Sequence, residues 1–178
     1  MSILLEASDK RTNLSTKSMV SVKTDSGFIQ KILVSVDGSE TSFRAANYAV
    51  NIAKLVNAEL IPINIIEDVK QGGAIGLLAK YGKVSIVKAF KNARRHSAED
   101  WLKQVENAAQ TLGVKVNSVI LDADGKNEKK MITEYAMKNN IDLIVIGSKG
   151  GSRFKGLWSS GFTNSILHHS AKPVLVVP

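Results

Sequence analysis

Asp142 to Pro178 reads DLIVIGSKGGSRFKGLWSSGFTNSILHHSAKPVLVVP. An apolar run, Leu143 to Ile146, stops at Gly147, and Gly150 and Gly151 follow within four residues. Small residues then gather at Ser159, Ser160 and Gly161, before an amphipathic segment from Phe162 to His169 and a closing apolar run, Val174 to Val177. This order predicts strand, glycine-rich loop, helix, strand. Glycines lack Cβ atoms and expose backbone N–H groups, and a helix starting after them adds free N–H groups and the positive end of its dipole. Together they suit a phosphate.

Working outward, Lys31 to Gly38 reads KILVSVDG, a buried strand closed by a turn. Ser39 is a good N-cap for a helix from Glu40, with Phe43, Ala46, Ala49, Val50 and Ala53 on one apolar face and Asn57 as its end. Glu59 to Ile66 is the second strand. Pro62 inside it predicts a bulge or an unpaired N–H position. Glu67 to Tyr81 reads as a loop. A long helix is expected from about Val84 to Leu112, with Trp101, Val105, Ala108 and Leu112 as its buried stripe and Gly113 as its stop. Val114 to Leu121 is the third strand, and Glu128 to Asn139 a helix with Ile132, Tyr135 and Ala136 inward. Residues 1–29 are polar and mixed, and read as a flexible extension before a domain at 30–178.

Apolar strands alternating with helices predict an α/β fold, a parallel sheet covered on both faces. In a doubly wound sheet the ligand sits outside the carboxyl ends of the strands, where strand order reverses. If the first and fourth strands are neighbours there, Asp37 and Gly147 face one crevice. An Asp37 carboxylate can accept hydrogen bonds from ribose hydroxyls or an adenine amino group; alternatively it bonds its own turn backbone. Gly147, Gly150 and Gly151 serve either a phosphate or a tight turn. Ser159 and Ser160 can cap the last helix or meet phosphate oxygens. Lys149, Arg153 and Lys155 add charge nearby.

Other chemistries find no residues. The absence of cysteine excludes disulfides and thiolate catalysis, and fits a reducing cytoplasm. No nucleophile elbow, HExxH or G-x-x-x-x-G-K-[ST] occurs. No apolar run approaches the roughly 20 residues of a membrane span, and Met1 to Ala7 lacks the basic start of a secretory signal. Adjacent His168 and His169 point about 100° apart on a helix and suit its C-terminus better than a metal; His96 is expected to be exposed. The net charge of +8 is concentrated in Lys80 to Arg95, six cations without an acid. That stretch is either a solvated helix face or a docking patch. No aromatic interleaving of the kind seen on stacking surfaces supports nucleic acid there.

The spacing Gly147-x-x-Gly150, nine residues, then Ser160-Gly161 resembles the nucleotide-binding signature of the universal stress protein family. The KILVSVDGS opening and the Lys172 to Val177 ending resemble it too, so the likeness runs from about Lys31 to Pro178. The family's last pair is glycine then a hydroxyl residue; here the order is reversed. The resemblance implies a five-stranded sheet of order 3-2-1-4-5. It implies ATP, with or without Mg2+, at Val36, Asp37, Ile65, Gly147, Gly150, Gly151, Ser160, Gly161 and Phe162, with the backbone of Ile65 meeting adenine. It also implies a cytoplasmic homodimer paired through Val174 to Val177, and a regulatory protein in stress response rather than an enzyme, at most a slow ATPase. The other reading is a nucleotide-free homodimeric interaction module of the same fold.

Overall fold

The computed structural model describes residues 29–66, 80–82, 84–124, 126–148 and 160–178. Among the described residues five strands and four helices alternate: β1 (Lys31–Ser35), α1 (Glu40–Val56), β2 (Glu59–Ile66), α2 (Val84–Thr111), β3 (Val119–Asp122), α3 (Glu128–Lys138), β4 (Leu143–Gly147), α4 (Ser160–His169) and β5 (Val174–Val177). All strand pairs are parallel and the order is β3-β2-β1-β4-β5. The expected 3-2-1-4-5 sheet is therefore present. The reversal point falls between β1 and β4, paired from Ile32↔Leu143 to Val34↔Val145. The expected extension and most of the expected Glu67–Tyr81 loop lie outside the described residues.

The strand period of two divides the core into two layers. Ile32, Val34, Leu60 and Val145 face α1 and α2, where they meet Ala45, Ala49, Leu102 and Val105. Leu33, Ile63, Ile144 and Ile146 face α3 and α4, where they meet Ile132, Ala136, Phe162 and Ile166. Small residues on α1 let that helix lie close to the sheet. Its N-cap is Ser39, whose Oγ accepts from Ser42 N–H at 3.1 Å. Its C-cap is Asn57 in the left-handed region, φ 54°, a conformation asparagine tolerates well.

Two local expectations are corrected, and of the two readings of Pro62 the unpaired position is the one found. The buried stripe of α2 is Ala98, Leu102, Val105 and Ala109; Ala108 faces solvent, and Leu112, beyond the helix, is 37% exposed. The buried residues begin only at Ala98, so α2 packs through its second half. The third strand starts at Val119, and the segment before it makes a single bridge, Leu60↔Val116. Finally, Pro62 makes no bulge: β1 and β2 pair without a slip from Lys31↔Glu59 to Ser35↔Ile63. Leu60 donates to Lys115 O and accepts from Asn117 N–H, so the even positions of β2 turn their peptide groups toward β3. The hydrogen-less nitrogen of Pro62 thus points into the gap between the Leu60↔Val116 bridge and the pairing that resumes at Ile63↔Val119.

The cationic stretch is partly spoken for. Lys91 reaches Asp122 and Asp124 at 3.3 and 3.1 Å, and Arg95 pairs with Asp122. The Arg94 guanidinium stands 5.3 Å from the centre of the Phe90 ring. These contacts tie the first half of α2 to the carboxyl end of β3. His96 is exposed, with Nδ1 3.3 Å from Glu99.

Candidate functional site

At the reversal point, β1 runs out into Val36, Asp37 and Gly38. Val36 is wholly buried, its N–H donating to Ile63 O at 2.9 Å and its carbonyl accepting from the buried Asn64 amide at 2.6 Å. These bonds hold the start of the turn in place. Gly38 sits at φ +80°, which glycine adopts without strain. Asp37 Oδ1 accepts from Ser39 N–H at 3.0 Å, closing an Asx turn. Asp37 N–H donates to Ser42 Oγ at 3.3 Å, and Ser42 Oγ donates to Ser39 O at 2.8 Å. The turn reading of Asp37 is met by one of its two oxygens. Oδ1 serves the turn, while Oδ2 is buried and has no hydrogen-bond partner among the described residues. An unmet buried acceptor of this kind costs about 1–3 kcal/mol.

Gly147 closes β4 opposite this turn. A Cβ there would lie 2.9 Å from the carbonyl carbon of Thr41 and 3.0 Å from its oxygen, so only glycine allows the end of β4 to approach the first turn of α1 this closely. Thr163, in the first turn of α4, holds the β4 end from the other layer, donating to Gly147 O at 3.3 Å and Ser148 O at 3.4 Å. Asp37, Ser39, Thr41, Ile146, Gly147 and Phe162 line one recess together. Its enclosed volume is only about 10 Å³, about one water.

The other expected residues are distributed as follows. Phe162 is buried beneath the first turn of α4, and Gly161 is exposed on that turn. Ser160 is the first residue of α4. Gly150 and Gly151 lie outside the described residues. Ile65 is 6% exposed and stands apart from the recess. Alternation along β2 directs its peptide groups toward β1, whose pairing with β2 has already ended at Ser35↔Ile63. His169 Nδ1 lies 2.8 Å from Ser165 O, within its own helix. A broader depression of about 660 Å³ lies between α3 and α4, with Lys130, Lys138 and Met137 on its walls. It holds no convergent buried polar groups, so the chemistry points to the smaller recess.

Sequence reasoning missed Ser42, Thr41, Thr163 and Asn64. The Ser39-x-x-Ser42 spacing was the available signal for Ser42, since it places a second hydroxyl over the N-cap. No local pattern marks Thr163 or Asn64, whose partners lie 15 or more residues away.

The family model described as Usp, universal stress protein family, matches residues 29–178. A universal stress protein of Methanocaldococcus jannaschii is 31% identical over 156 residues, covering 88% of this chain and 86% of that one. Universal stress protein UspA from Lactobacillus plantarum has the same fold, with TM-score 0.69 and 24% identity over 84% of this chain and 97% of that one. A universal stress protein crystallised in complex with cAMP superposes with TM-score 0.57 at 24% identity, over 84% of this chain and 97% of that one. No helix among the described residues is long and apolar enough to cross a membrane.

Proposed function

The chain belongs to the universal stress protein family, and from that premise we propose that it binds an adenine nucleotide, ATP foremost, as a regulatory ligand in the crevice between β1 and β4. The observation that carries the reading is the unpartnered, buried Oδ2 of Asp37, beside a Gly147 that has no room for a side chain. A ribose hydroxyl or adenine amino group would supply the missing donor. Ile65 would offer its peptide edge to adenine, with Val36 behind it. Gly147, Gly150, Gly151, Gly161 and Phe162 would turn backbone N–H groups toward the phosphates, at the start of α4. Mg2+ would enter coordinated by the phosphates themselves. The cAMP complex of a fold neighbour supports the ligand class.

The reversed Ser160-Gly161 pair sets the strength of binding in this proposal. Moving the hydroxyl by one helical residue turns it by about 100°, and losing one hydrogen bond to a charged oxygen weakens binding roughly tenfold or more. ATP binding is therefore expected to survive and to be weaker than with the family order. Calorimetry on the native protein and on the Ser160→Gly, Gly161→Ser double variant tests this, with tighter binding expected for the variant. The same reversed pair favours the second reading: no ATP binding by either form would leave a nucleotide-free homodimeric module.

In both readings the protein acts in the cytoplasm by binding rather than turnover; in the first, slow ATP hydrolysis is the upper limit. Both also include a homodimer. Among the described strands β5 pairs only with β4, leaving Val174, Leu175 and Val176 part-exposed along its open edge. An apolar edge of this kind invites a second copy, paired antiparallel across a two-fold axis.

A further inference from the structure

Gly38 is constrained twice. Its φ of +80° lies in the left-handed region, and a Cβ built on it would run into the six-membered ring of Trp101, 2.8 Å from Cδ2 and nearer still to the next ring atoms. The indole of α2 therefore lies flat against the Gly38 backbone. The peptide planes on either side of Gly38 carry the Asp37 carbonyl and the Ser39 N–H, and that N–H is the donor to Asp37 Oδ1. We infer that Trp101 is a positioning residue for the Asp37 carboxylate: its ring holds the Gly38 turn, and through it the orientation of Oδ2 toward bound nucleotide. The inference rests on the proposed nucleotide site and adds a residue to it.

The physical reason is the freedom of glycine. Left without the ring, Gly38 would have the widest choice of backbone conformations of any residue. Leaving φ +80° takes Ser39 N–H away from Oδ1, and the carboxylate then rotates. The rest of α2 is fixed well enough to hold the ring. Leu102 beside it, and Val105 and Ala109 one and two turns on, are buried, and Arg95 and Lys91 tie the preceding turns to Asp122. The ring itself is part-buried against the layer of α1 and β1. Asp37 and Ser39 line the recess itself; Trp101 acts through the turn between them.

The test is a double-mutant cycle read by calorimetry. Wild type, Asp37→Asn, Trp101→Leu and the double variant are each titrated with ATP, 2′-deoxy-ATP, 3′-deoxy-ATP and inosine triphosphate. Each analogue lacks one group that a carboxylate can accept from. In wild type, the analogue without the group held by Asp37 binds roughly tenfold more weakly than ATP. That discrimination is expected to vanish in Asp37→Asn and equally in Trp101→Leu, with no further loss in the double variant. Trp101→Phe, which keeps an aromatic face against Gly38, restores it. A general loss of stability would weaken all four ligands alike.

Discrimination unchanged in Trp101→Leu, or losses that simply add in the double variant, would overturn the inference and leave the proposed function standing. Failure of wild type to bind any of the four would remove both. Should Trp101→Leu fail to fold, a Trp158→Phe variant leaves Trp101 as the single tryptophan of the two in the chain. Saturating ATP is then expected to shift its emission, and an unmoved spectrum with binding confirmed by calorimetry would overturn the inference.

Discussion

Asp37 and Asp142 stand at opposite ends of the same strand pair, and the protein uses them differently. Asp142, before β4, accepts from Gln30 N–H at 2.9 Å and Lys31 N–H at 3.0 Å with one oxygen, while its own N–H donates to Lys31 O. It ties the entry of β1 to the entry of β4. Asp37, after β1, gives one oxygen to its own turn and leaves the other buried without a partner. The two residue types are identical, and each sits at a strand end. In each, the fold engages one carboxylate oxygen; what separates them is where the other one lies. The second oxygen of Asp142 is not among the buried unpartnered atoms, whereas that of Asp37 is. An oxygen buried in that state costs stability, which is what the proposed ligand would relieve.

The largest expected effect lies at the structural end. Asp142→Ala strands two backbone donors, and should lower stability by about 2 kcal/mol, since hydrogen bonds to a charged group are worth roughly 1.5–3 kcal/mol each before solvent exposure reduces them. Urea denaturation with an unchanged m-value would show it. Stability within about 0.5 kcal/mol of wild type would break the comparison, because Asp142 would then be no more structural than Asp37.

A smaller effect, of different sign, is expected at the other end. Asp37→Asn keeps an oxygen for Ser39 N–H and removes the charge from the unpartnered position. Its stability should equal that of wild type or exceed it by up to about 1 kcal/mol, while nucleotide binding weakens. The same urea titration measures it. A loss as large as that of Asp142→Ala would mean that Asp37 is held for the fold alone.

Asp122 sharpens the contrast from a third strand end. Its carboxylate is met by cations instead of backbone, Lys91 and Arg95. Hydrogen bonds from Lys91 to Asp124 and Asp122, foremost among its surroundings, hold the Lys91 ammonium's pKa above the usual lysine value. A raised pKa in the folded state means stabilisation that is complete below the unfolded value, about 10.4, and fades as pH rises through the folded one. The Lys91 side chain is 37% exposed, so solvent screening limits the effect to about 0.5 kcal/mol. Lys91→Met should therefore cost about that much at neutral pH, less in high salt, and nothing in strongly alkaline solution. Thermal melts at several salt and pH values would check it.

The sheet was legible because its signals are periodic and local. Apolar runs such as Leu143 to Ile146 and the caps Ser39 and Asn57 mark their elements without reference to anything distant. The β1/β4 crevice was legible because both of its edges carry turn residues directly after strands. Trp101 was readable only as a core aromatic, since helical spacing reports a face and not what lies opposite each position on it. The Ala108 and Leu112 misreading has a similar cause: the apolar positions 98, 102, 105 and 109 compete with 101, 105, 108 and 112, and only packing selects the first set. Lys91 and Arg95 looked like part of an unbroken cationic run because their partners lie 27 to 33 residues further on.

Pro62 has a consequence for assembly. In the native sheet its missing donor falls in the stretch where β2 and β3 are already unpaired, so little is lost there. If β3 slid along β2 by two residues toward the amino end, side chains would keep their faces and the apolar pattern would not object. Residues 119–122 would then lie across Pro62, and the ladder would lack one bond, about 1 kcal/mol. An imino acid that contributes nothing to the correct pairing thus acts as a notch against the miscopied one, in the place where alternating hydrophobicity alone cannot tell the two apart.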